Sequence, residues 1–112
     1  MTQEQKDRLV ELFRTATEKQ IEGLYYDPET CGVCAMGLLI QKLSNFNRWF
    51  PPNNGIYLGQ TVDGALLDVD HVRVEFGLRP EVYSRIVYMN DTGSTFQQIA
   101  DYINSLPVEP LE

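Results

Sequence analysis

Cys31-Gly32-Val33-Cys34 is the spacing in this chain that most directly invites chemistry. Two cysteines three apart at the start of a helix would place a thiolate near free backbone N–H groups and the positive end of the helix dipole, which favour negative charge. That is a redox reading of Cys31 and Cys34. The plainer reading is two small buried residues, because the preceding stretch reads as helix rather than as the strand of a βαβ redox unit. A structural zinc site would need two further ligands, and His71 is the sole histidine. A second cluster is Asp68-Val69-Asp70-His71 with Glu75, where His71 and Glu75 are four apart and share a face if the segment is helical. Asp68, Asp70, His71 and Glu75 could serve a hard metal or a general acid–base pair. Against this, Asp70 reads as a helix cap and the others as solvated charges.

The third candidate is aromatic. Tyr25 and Tyr26, then Phe46, Trp49 and Phe50 with Arg48 between them, are residue types that anchor interfaces and ligand pockets. Arg48 suits a partner carboxylate or a cation–π contact. The alternative is that the rings close one end of the core. No H-E-x-x-H, Gly-rich phosphate loop or G-x-S-x-G elbow occurs, so no catalytic set can be assembled and no cofactor is expected.

These residues need elements to position them. Thr2 to Glu22 reads as a first helix, with Thr2 and Gln5 at capping-box spacing and a stripe of Leu9, Leu12, Phe13 and Ala16 continued by Ile21 and Leu24. Gly23 stops it. Asp27-Pro28-Glu29-Thr30 turns and caps the next helix, about 31–43, which is uncharged from Val33 to Ile40 and therefore buried on all sides. Gly37 inside it costs about 1 kcal/mol relative to alanine, so it marks a tight helix contact. Asn45 to Gly55 reads as a loop. A hairpin follows over about 56–69, turning at Asp63-Gly64. Asp70 to Phe76 reads as a short helix ended by Gly77, with a third strand as the alternative, and Pro80 opens another helix through Met89. Asn90 to Gly93 is a turn, Ser94 caps the last helix with Gln97, and Pro107 ends it. Residues 108–112 form a loose tail. The expected fold is α+β, mainly α, a single domain of four to five helices around the central one.

Composition narrows the function. The 112 residues suit one domain, and 43% apolar with 22% charged residues is ordinary for a globular protein. Met1 to Arg8 is polar with no apolar run behind it, so a secretion signal is not expected, and a reduced, cytoplasmic setting follows. Net charge is −7, and residues 51–112 carry nine acidic against three basic side chains. That balance opposes binding to nucleic acid or to anionic membranes. Thr95 to Asp101 is like the first helix of a helix-turn-helix unit, but no recognition helix follows it.

Two stretches together carry a likeness. Cys34-Ala35-Met36-Gly37-Leu38-Leu39, and Asn90-Asp91 followed by Thr95-Phe96-Gln97-Gln98-Ile99-Ala100-Asp101, resemble a family of small uncharacterised bacterial and phage proteins. Its members carry a Cys-Ala-Leu-Gly-Ala-like helix and an Asn-Asp turn leading into a Thr-Phe-x-x-Ile-Ala-Asp helix. Met36 and Leu38 depart from that pattern. The resemblance brings no activity with it. It implies packing roles for Cys34 and Gly37 and makes Asn90 and Asp91 the polar pair to test, their plainer role being a turn and cap. The expectation is a binding module whose contact surface holds Tyr25, Tyr26, Phe46, Arg48, Trp49 and Phe50. Its partner would be a protein, a small ligand, or a second copy in a homodimer closed by that apolar rim.

Overall fold

Thr2 begins the first helix as the spacing predicts. Its hydroxyl accepts from the Gln5 amide at 3.1 Å, and the Gln5 side chain accepts from the Thr2 amide at 2.9 Å. Helix α1 (Gln3–Arg14) buries Leu9 and Phe13. It is shorter than the expected Thr2–Glu22, because the chain beyond it finds better backbone partners. Ile21 donates to the Val33 carbonyl at 3.0 Å and Val33 donates to that of Lys19 at 2.8 Å, a parallel bridge that removes residues 19–21 from any helix. Bonding of this kind overrides a modest helical stripe. The computed structural model describes residues 1–51 and 57–108.

The Asp27-Pro28-Glu29-Thr30 stretch does not cap a helix. It turns a small antiparallel hairpin, β1 (Tyr26–Asp27) and β2 (Gly32–Val33). The Asp27 carboxylate holds the turn by accepting from the Glu29 amide at 3.0 Å and the Thr30 hydroxyl at 3.1 Å, the local bonding that makes Asp a turn residue. Cys31 completes it with φ of 58°, a left-handed conformation that costs a non-glycine residue about 1 kcal/mol.

Helix α2 (Ala35–Gln41) is the buried centre that the uncharged run predicts, with Ala35 through Ile40 all buried. It is shorter than 31–43 because Cys31 to Val33 belong to the hairpin and Cys34 is its cap. Gly37 is a point of close approach, though to a strand entry and not to another helix. A Cβ there would collide with the Tyr25 carbonyl oxygen and lie 2.8 Å from its carbon.

The segment expected as a loop from Asn45 to Gly55 contains a strand, β3 (Phe46–Phe50); residues 52–56 lie outside the described residues. Strand β3 pairs antiparallel with β4 (Leu58–Thr61), which pairs with β5 (Leu66–Leu67). The Asp63-Gly64 turn joins the last two, with Gly64 at φ 92°. The hairpin thus supplies two strands of a three-stranded sheet. Gly59 lets that sheet rest on α2, since a Cβ there would come within 2.5 Å of Ile40.

Three helices complete the chain: α3 (Val69–Phe76), α4 (Pro80–Asp91) and α5 (Phe96–Asn104). Asp68, not Asp70, caps α3, and Gly77 ends it at φ 61°. Asn90 and Asp91 are the last turn of α4 and not a free turn. Thr95 with Gln98, one residue later than expected, forms the capping box of α5. Helices α1, α3, α4 and α5 share one core with α2, built from Phe13, Leu38, Leu39, Phe76, Ile86, Ile99 and Ile103. The α+β, mainly α, expectation holds: the described residues form five helices and two small antiparallel sheets. Among the described residues no helix is long and apolar enough to cross a membrane.

Candidate functional site

The site is assembled around a buried amide. Asn90 is 2% exposed, and a buried amide is costly unless its donors and acceptor are met. All are. Its oxygen accepts from the Ala35 amide at 3.0 Å and from Gln20 Nε2 at 2.9 Å. Its nitrogen donates to the Ile21 carbonyl at 2.9 Å and to Asp91 Oδ1 at 3.1 Å. Gln20 also donates to the Ser94 carbonyl at 2.6 Å and accepts from the Phe96 amide at 2.9 Å. Three segments far apart in sequence, around residues 20–21, 35 and 90–96, are therefore locked together at the end of α4. The amides at the N-terminus of α5 and of α2, which no helix can satisfy internally, are part of what this network supplies.

Beside that network lies a cavity of about 160 Å³. Cys34, Ala35, Met36 and Asn90 form its buried floor, Tyr25, Tyr83 and Val87 its walls, and Gly23, Leu24 and Asp91 its exposed rim. Tyr83 and Val87 stand one turn apart on α4, so the helix presents both to the same space. Burial raises the Tyr25 phenol to about 12, helped by the acidic groups Tyr83, Cys34, Asp68 and Asp70, so it stays a neutral donor at ordinary pH. Asp91 Oδ1 also accepts from the Gly23 amide at 3.2 Å. Its Oδ2 has no partner among the described residues, and neither has the Tyr25 hydroxyl.

Cys34 caps α2: its sulfur accepts from the Gly37 amide at 3.4 Å. A helix N-terminus ordinarily lowers a thiol's pKa. Here burial raises it, the amides of Gly37 and Met36 pull back, and Asp91 adds to the rise; the net shift is upward. The direction is opposite to that of an activated redox thiol. Cys31 is exposed, on the hairpin turn, with the Tyr26 hydroxyl 4.0 Å from its sulfur.

The remaining expected site residues form two other groups. Tyr26 stacks on Trp49 with ring centroids 5.1 Å apart, Phe46 meets Trp49 edge-on at 5.5 Å, and Tyr57 meets Tyr26 at 5.4 Å. Phe50 pairs with Leu58, and Arg48 donates to Gln60 at 2.8 Å across the same sheet. The rings contact one another, and the Trp49 indole N–H is buried with no hydrogen-bond partner among the described residues.

The acid–histidine group is taken up locally. Asp68 accepts from the amides of Asp70 and His71, and its Oδ1 lies 2.9 Å from His71 Nδ1. Burial pushes its carboxyl up, but those bonds together hold it below the usual range. Glu75 pairs with Arg8 at 2.8 Å, and Asp70 lies 3.8 Å from Arg73. Among the described residues no three His, Cys, Asp or Glu side chains are grouped to hold a metal ion.

Of the expected residues, the structure thus gathers Tyr25, Cys34, Asn90 and Asp91 at one place and leaves the others elsewhere. Gln20, Tyr83 and Val87 were not among the expected site residues. The i, i+4 spacing of Tyr83 and Val87 marks a shared face, but core packing gives the same spacing, and Gln20 carries no sequence signal at all. No protein-family model matches the chain, and no curated protein or solved structure is similar to it at a significant level.

Proposed function

We propose that this chain is a small binding module whose ligand sits in the cavity between Tyr25, Cys34, Tyr83 and Asp91. One observation carries the reading. Residues 25, 34, 90 and 91 converge on a concave space with mostly apolar walls and a few polar groups left open, the usual make-up of a ligand site. At about 160 Å³ the space suits a small organic molecule, since an apolar cavity of roughly 150 Å³ takes up benzene. The floor is rigid because the Asn90 and Gln20 hydrogen bonds fix it, so little ordering cost falls on binding.

A screen of small fragments read by backbone amide NMR shifts tests this. The expected result is a set of hits whose shifts cluster at Gly23, Leu24, Ala35, Met36 and Asp91. Val87→Trp, which fills the cavity from α4, should abolish those shifts while helix α1 keeps its spectrum. Shifts confined to Phe46–Phe50 and Leu58–Thr61, or surviving Val87→Trp, would overturn the assignment.

A further inference from the structure

The charge around the cavity selects among small ligands. Asp91 stands at the rim with Oδ2 unpartnered among the described residues. Asn90 and Asp91 are the last turn of α4, where the Tyr88, Met89 and Asn90 carbonyls already accept from the amides of Thr92, Ser94 and Gly93, so the open negative group at this end is the Asp91 carboxylate. The opposing feature is the N-terminus of α2, which opens on the floor. Its positive end is already spent: the Ala35 amide donates to Asn90, and the Gly37 amide donates to the Cys34 sulfur. Among the described residues no Lys or Arg lines the cavity. The guanidinium of Arg73 lies 5.4 Å from the Tyr83 ring centre but is turned toward Asp70. An anion would therefore meet the Asp91 carboxylate, and among the described residues that line the cavity the side-chain donors are phenols, a thiol and the Asn90 amide, which is already bonded. An ammonium group would meet an open carboxylate oxygen, with aromatic walls beside it.

Resting on the binding reading above, we infer that the ligand of this cavity is a small organic cation, a primary amine on an apolar or aromatic body of about eight heavy atoms, whose ammonium group bonds Asp91. The volume admits one six-membered ring with a short arm. The Tyr25 hydroxyl, neutral at ordinary pH, can accept a second N–H while donating elsewhere.

Three isosteric probes separate the possibilities: benzylamine, benzyl alcohol and benzoate, each titrated into the intact protein and followed by the amide shifts of Gly23, Ala35 and Asp91. Benzylamine should bind at least about tenfold tighter than benzyl alcohol, the size of one charge-assisted hydrogen bond, and benzoate should be the weakest. Asp91→Asn keeps the acceptor for the Gly23 amide and should bring amine and alcohol within about twofold of each other. Equal binding of amine and alcohol in the unaltered protein, or tightest binding of benzoate, would overturn the cation assignment and leave the cavity reading standing. Shifts from none of the three would overturn both. The comparison in the unaltered protein needs no variant, so it decides even if Asp91→Asn fails to fold.

Discussion

Tyr25 and Tyr26 are adjacent in the chain, yet one lines the cavity beside α4 and the other stacks on Trp49 over the three-stranded sheet. Successive side chains on extended backbone point to opposite faces, so one short segment serves two regions. The two regions differ in how their polar groups are treated. Around the cavity, the buried amide of Asn90 meets four partners. In the aromatic cluster, the indole N–H of Trp49 meets none among the described residues. The first region is a fixed scaffold with open groups at its rim. The second is a set of rings packed on one another, and it carries an unmet donor at some cost to stability.

Gly37 is the point the two regions share, because its missing side chain lets α2 press on the Tyr25 carbonyl. Gly37→Ala should therefore cost about 3 kcal/mol or more, as overpacking against backbone does at the upper end of its range. Trp49 is the only tryptophan, so urea unfolding followed by its fluorescence reads the cluster directly. The variant should also shift the native emission, because moving Tyr25 drags Tyr26 with it. A stable Gly37→Ala protein with unchanged emission would mean that the two regions are not joined through this contact.

The cysteines should divide along the same line. Cys31 is exposed on the hairpin turn, while Cys34 is buried with its pKa raised. A thiol reagent should modify Cys31 at least about a hundredfold faster than Cys34, since reaction needs both access and thiolate. Comparable rates would reopen the redox reading of the pair.

Asn90→Ala attacks the cavity alone. It leaves the Ala35 amide and the Ile21 carbonyl without their partner and should cost about 2–3 kcal/mol. Native tryptophan emission should stay as it is. If the emission moved as much as in Gly37→Ala, the cavity and the cluster would be one cooperative unit. Trp49→Phe attacks the cluster alone and should be mild, within about 1 kcal/mol and on the stabilising side, because it removes the unmet donor while keeping a ring against Tyr26. Destabilisation by more than that would show that the larger indole's packing outweighs its orphaned N–H.

The fold was more legible in the sequence than the site, for a physical reason. Helix starts such as Thr2 with Gln5, and the uncharged run of α2, depend on residues a few positions apart. The errors arose where a distant strand competed with a local pattern. Residues 19–21 left their helical stripe to bond Val33, and Phe46–Phe50 became a strand by pairing with Leu58–Thr61. The site is distant by nature: Gln20, Ala35 and Asn90 meet only through the tertiary fold. Asn90 and Asp91 stood out through a family likeness, and Tyr25 through its ring, but nothing local ties either to Cys34.

Tyr25→Phe gives the smallest effect at neutral pH and a distinctive one above it. The hydroxyl has no partner among the described residues, so its removal should barely change stability at pH 7. Folding raises the phenol from an ordinary 10 to about 12, so the native state holds the proton more tightly than the unfolded chain does. The resulting stabilisation is complete below pH 10 and is lost as pH rises from 10 toward 12. The Cys34 thiol is also raised by burial, so its share of stabilisation is likewise lost as pH rises. In urea titrations repeated across this window the unaltered protein should weaken more steeply than Tyr25→Phe, with the gap opening above pH 10. The gap should be smaller than the full shift implies, because the ring is only half-buried and solvent screens it. Parallel curves through pH 12 would place the Tyr25 hydroxyl in water, outside the cavity wall, and would remove it from the ligand site.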